Sequence, residues 1–142
     1  MRTLGIDLGS RRVGLALSDE GGRFATPYDV LAVSSAEAAI APIIELIRKE
    51  GIQRLVLGLP INMDGSEGPR AQSTRAFARN LARLTELPIA LWDERLSTAA
   101  VERELIGMDM SRARRAEVID EHAAIFILQG ALDRLAKARE KR

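Results

Sequence analysis

The segment RLVLGLP at residues 54–60 is apolar almost without a break. A half-exposed strand alternates polar with apolar, so an unbroken run this short fits a strand covered on both faces. Such a strand belongs to a sheet with helices packed on each side, which sets the class as α/β. The chain before it is β-like in a different way. Residues 3–8 and 12–18 are short strand patterns separated by Gly9-Ser10, a pair suited to a tight hairpin. A second glycine-rich turn at 19–22 leads to a third stretch, residues 24–33, whose Pro27 is tolerated at a sheet edge. The chain therefore opens as a three-stranded antiparallel meander.

After Val33 the period becomes helical. Ser34-x-x-Glu37 reads as a capping box, and the helix runs to Glu50, where Gly51 stops it. Pro42 either kinks that helix or marks the first turn of its second half. A glycine-rich loop, residues 61–68, follows the central strand. The next helix spans about residues 69–86, with Phe77, Leu81 and Leu84 on one face and Arg75, Arg79 and Arg83 on the other. PIALWDE at 88–94 is a further strand, reached by a right-handed crossover. Ser97 or Thr98 caps a helix to about Ile106. A polar link leads to one long final helix ending near Ala138, with a basic tail over about residues 137–142 that frays. No repeat or linker divides the 142 residues, so residues 1–142 form a single domain with a mixed sheet.

Composition excludes several chemistries. There is no cysteine and one histidine, His122, which removes disulfides, thiolate zinc sites, cysteine nucleophiles and multi-histidine metal centres. No apolar run is long enough to span a membrane, and MRTLGIDLGS reads as a strand and not a signal peptide. The expectation is a cytoplasmic protein without a membrane partner. The net charge is +1, so no global basic field advertises a nucleic acid. The arginines are nevertheless grouped: Arg70, Arg75, Arg79 and Arg83 lie in an acid-free stretch, and local patches bind phosphate even when the sum is near zero. A solvated helix face explains the same pattern.

Three groups of acids stand out. In the first strand Gly5, Asp7 and Gly9 share a face, opposite a neighbour whose Gly14, Ala16 and Ser18 are equally small. A carboxylate in a central strand is costly unless paired or metal-bound, although a turn aspartate bonded to amides is an equal reading. Asp93 and Glu94 close a strand at the end where α/β sheets collect ligands. Alternation puts them on opposite faces, so one of the two reaches a given site. Asp120 shares a helical stripe with Ala124, Ile127, Ala131 and Leu135 and so points toward the sheet. Oxygen-only ligands of this kind suit Mg²⁺ or Mn²⁺, and paired metals of that type hydrolyse phosphodiesters. His122 lies about 200° around the helix from Asp120 and reads as a surface residue.

The segments GIDLGSRRVGLALSD, LVLGLPINMDGSEG, LWDERLST and VIDEHAAIFILQ occur in the same order as in the YqgF/RuvX family. Over nearly its whole length the chain resembles these bacterial RNase H-like proteins, relatives of the RuvC Holliday junction resolvases. The resemblance implies an RNase H-like five-stranded sheet in the order 3-2-1-4-5. It implies an acidic site for Mg²⁺ or Mn²⁺ at Asp7, Glu94 and Asp120, with Asp93 as an accessory residue. It also implies a metal-dependent nuclease acting on the 5′ end of pre-16S ribosomal RNA, or alternatively a resolvase acting on branched DNA. Asn62 in the loop after the central strand, with Arg70, Arg75 and Arg79, are candidate contacts to that nucleic acid. Two other readings compete. The hairpin Asp7-Leu8-Gly9-Ser10 also resembles the phosphate turn of actin and sugar kinases, which need a second such domain. A scaffold that binds RNA without cutting it is the other. Ile125 and Phe126 project away from the sheet-facing stripe, which a homodimer through the last helix would explain.

Overall fold

The computed structural model describes residues 1–140. Five strands form one sheet in the order β3-β2-β1-β4-β5, as the resemblance implied: β1 Thr3–Leu8, β2 Arg12–Ser18, β3 Ala25–Ala32, β4 Arg54–Leu59 and β5 Ile89–Asp93. β1 pairs antiparallel with β2, and β2 with β3, while β1, β4 and β5 run parallel. The hairpin closes through the Gly9 amide donating to the Arg12 carbonyl at 2.9 Å. β3 lies at the sheet edge, with Pro27 opposite Ala16 beside a register shift.

The apolar run of β4 is explained by two cores. On one face Leu55 and Leu57 join Leu4, Ile6, Ile43 and Phe77, under α1 (Ile40–Glu50) and α2 (Pro69–Ala82). On the other face Val56 joins Ala16, Ile127 and Leu128, under α5 (Ala123–Glu140). α5 approaches β1 so closely that a side chain at Gly5 would stand 2.7 Å from the Leu128 Cβ. Phe77 is wholly buried, and its truncation to alanine would cost about 3–5 kcal/mol.

Four local expectations are corrected. The capping box does not form: residues Ala36–Ala39 make a 3-10 turn, and the Glu37 carboxylate accepts from Asn80 instead. Pro42 then falls in the first turn of α1, where its missing amide is not needed, and Gly51 ends that helix in the left-handed conformation, at φ 62°. α2 stops at Ala82, so Leu84 lies past its end and is 62 % exposed. α3 (Glu94–Gly107) begins directly at the end of β5, because the Asp93 carboxylate accepts from the Arg95 amide and caps it.

The fourth correction matters most for the site. The long last helix is two helices, α4 (Arg112–Glu121) and α5, with an elbow at His122. Both the His122 amide and its ring Nδ1 bond to the Val118 carbonyl, and the residue leaves the helical well at φ −117°, ψ 18°. A side chain that competes for a helix carbonyl in this way interrupts the ladder. α5 is helical to Glu140, and residues 141 and 142 of the expected tail lie outside the described residues. Among the described residues no helix is long and apolar enough to cross a membrane.

Candidate active site

Asp7 is the centre of the site. It is half-buried near the end of β1, opposite Gly14 of β2, and a side chain at Gly14 would lie 3.6 Å from the Asp7 Cβ. Burial raises the Asp7 pKa; the Arg70 guanidinium opposes that rise, and the charge of Asp120 adds to it. Glu94, the first residue of α3, is held at about 7, chiefly by burial. Asp7 pushes it further up, Arg70 pulls it down, and Asp93 adds a little. Two neighbouring carboxyls short of water resist carrying two negative charges together.

Glu94 fits because β4 has no side chain where it passes. A Cβ at Gly58 would stand 2.8 Å from the Glu94 Oε1 and would collide with Ile127. A glycine inside an otherwise unbroken apolar strand was the available signal for that close approach. Asp93 turns away to Arg95, which holds it through Nη2 at 2.8 Å and through Nε at 3.1 Å. That pairing, opposed by partial burial, lowers the Asp93 pKa. Asp93 is thus a cap and an ion-pair partner.

Asp120 is exposed on α4, and the elbow cancels the stripe that would have pointed it inward. It reaches the site differently, lining a cleft of about 800 Å³ together with Asp7. His122 lines the same cleft, because the helix on which it would have faced away is broken there. Arg12 lines it too, a residue that no sequence pattern singled out. A smaller cleft of about 380 Å³ lies on the Glu94 side and is lined by Asn62, Arg70, Arg95 and Thr98. The loop around Asn62 is ordered by hydrogen bonds: its amide donates to the Ser66 carbonyl at 3.0 Å, and Asp64 accepts from the Ser66 amide. Among the described residues Arg70 makes no ion pair. Arg75 is bound bidentately by Glu67 at 2.6 and 2.8 Å, and neither Arg75 nor Arg79 lines either cleft.

The donor set suits a hard divalent cation in kind, being oxygen-only, and Arg70 only partly offsets the burial that raises the pKa values of Asp7 and Glu94. Among the described residues no three acidic or histidine side chains already stand close enough to hold one ion. Water and phosphate oxygens would have to complete the shell, as Mg²⁺ sites commonly require.

Residues 1–134 match the model of the RuvX family, described as Holliday junction resolvases. The chain belongs to the RuvX family. Its relatives include proteins of a Bradyrhizobium species and of Nitrobacter hamburgensis, both provisionally named pre-16S rRNA nucleases. Each is 66 % identical over 136 residues; the match covers 96 % of this chain, with 84 % of the first relative and 83 % of the second. The RuvX chain also shares its fold with RuvC of Thermus thermophilus. The TM-score is 0.59 for RuvC alone and 0.61 for RuvC in complex with a Holliday junction substrate, at 14 % identity in both. The two alignments cover 96 % of this chain and 97 % and 96 % of RuvC. At that identity the likeness speaks for the RNase H-like fold alone.

Proposed function

We propose that this RuvX chain is a divalent-metal-dependent nuclease that hydrolyses phosphodiester bonds at the 5′ end of pre-16S ribosomal RNA in the cytoplasm. The observation that carries the reading is that the charge of Asp7 acts on Glu94 and that of Asp120 on Asp7, while Arg70, in no ion pair among the described residues, acts on both Asp7 and Glu94. Asp7, Glu94 and Asp120 would hold the metal. When bound, Mg²⁺ or Mn²⁺ acidifies a water and neutralises charge at the scissile phosphate. Arg70 and Asn62 line the cleft next to Glu94 and would grip the phosphate from that side. The Asp93–Arg95 pair anchors the start of α3 and so aims Glu94. Glu94, titrating at about 7, must shed its proton to act as a ligand.

The family description supports branched DNA as a second reading. A junction cutter needs two sites related by a dyad. Ile125 and Phe126, which prompted the homodimer, are already half-buried within the chain, Ile125 against the α5-side core and Phe126 beside the His122 ring. A single copy suffices for cutting RNA, and that favours the RNA reading. The deciding experiment is cleavage of pre-16S RNA and of a four-way junction, each with Mg²⁺ or Mn²⁺, by the wild type and by Asp7→Asn. Metal-dependent RNA cutting that Asp7→Asn abolishes is expected. Cutting of the junction alone by a dimer would overturn the choice of substrate.

A further inference from the structure

The larger cleft has more room than its acids require. At about 800 Å³ it falls in the range of sites that enclose an organic ligand. Asp7 and Asp120 line it together with Pro27 and Tyr28 of β3 and Ile125 of α5. His122 also lines the cleft and has no part in the hydrolysis described above.

The His122 ring is held in place twice. Its Nδ1 bonds to the Val118 carbonyl at 2.9 Å, and its centroid lies 6.1 Å from that of Phe126, with the planes tilted by 38°. A ring already fixed loses little freedom when a ligand stacks on it. The charge around the cleft selects the ligand. Asp29, Glu117 and Glu121 join Asp7 and Asp120 there, against Arg12 as the one arginine lining it among the described residues. Away from a bound metal such walls repel a phosphate, yet carboxylates accept hydrogen bonds from the N–H groups on base edges. The cations Arg70 and Arg95 line the smaller cleft, with Glu94. A strand crossing the site is therefore oriented, with its backbone toward Arg70 and a base toward the acidic cleft.

We propose that the cleft between β3 and the α4–α5 elbow takes an unpaired nucleobase next to the scissile phosphate, stacked on the imidazole of His122. The inference rests on the nuclease reading and makes His122 a substrate-binding residue. It is tested without metal, in EDTA, using a short single-stranded RNA in which 2-aminopurine is walked along the sequence, with an end label to report binding. In the wild type one probe position should be quenched on binding. His122→Ala should abolish that quench and weaken binding by about 5- to 10-fold, the low end for base–aromatic stacking. His122→Asn, whose side-chain amide can still donate to the Val118 carbonyl but offers no ring, should lose both in the same way, which separates the ring from the break between α4 and α5. Quenching that survives His122→Ala or His122→Asn, or binding with no quenched position, would overturn the pocket and leave the nuclease reading intact. An RNA that the wild type does not bind at all would overturn both.

Discussion

Replacing Glu94 by glutamine should stabilise the metal-free protein at alkaline pH while destroying its activity. Burial and the Asp7 charge lift the Glu94 carboxyl from the ordinary 4.5 to about 7. Because the folded state holds this proton more tightly than the unfolded chain, stability falls as pH rises through the window between those two values. Below it the carboxyl is neutral in both states and no penalty exists; above it the penalty is complete. At 1.36 kcal/mol per pH unit the full effect is about 3 kcal/mol. The side chain is only half-buried, and water screening reduces this to about 1–2 kcal/mol. Glu94→Gln removes the ionisable proton and keeps the shape, so at about pH 8 the variant should melt about 3–8 °C higher. At about pH 5 roughly a quarter of the gain should remain. The assay is thermal unfolding followed by circular dichroism in EDTA at both pH values. A gain of equal size at the two pH values, or a variant that melts lower at the alkaline one, would refute the electrostatic account. Adding Mg²⁺ should raise the wild-type melting point more than that of the variant, since a ligand stabilises only the state that binds it.

Asp7→Asn and Asp120→Asn should each lower metal-dependent cleavage by about 100-fold or more while RNA binding in EDTA changes by only a few-fold; gel-resolved cleavage and fluorescence anisotropy separate the two. Arg70→Ala should weaken RNA binding and reduce the slope of log affinity against log salt by about 1, whereas Arg75→Ala, already engaged by Glu67, should leave that slope unchanged. Gly58→Ala should destabilise the fold by about 1–3 kcal/mol, because its methyl group meets Ile127 and Glu94, and should impair cleavage even well below the melting point.

The opening antiparallel meander, the two-sided burial of β4 and the edge position of β3 were all legible in the sequence, whereas the full strand order came only from the family resemblance. The first three follow from hydrophobic period or from a missing amide, and those act over a few neighbouring residues. Asp7 stood out for the same reason, as a lone carboxylate among glycines on a strand face, although turn amides would have satisfied it as well as a metal. Choosing Glu94 over Asp93 was not a local matter. It depended on α3 starting at Glu94 with Asp93 as its cap, and alternation along a strand says nothing once the strand has ended. His122 was read as facing away because one helical period was carried through residue 122. Its ring bonds to the Val118 carbonyl where α4 gives way to α5, and both Asp120 and His122 line the cleft with Asp7. Arg12 could be assigned to the cleft only once the β1–β2 hairpin and the α4–α5 elbow stood together in space. Local pattern determines which faces of a segment are buried. Which charged groups meet across that burial depends on where helices stop and turn, and single hydrogen bonds decided that here.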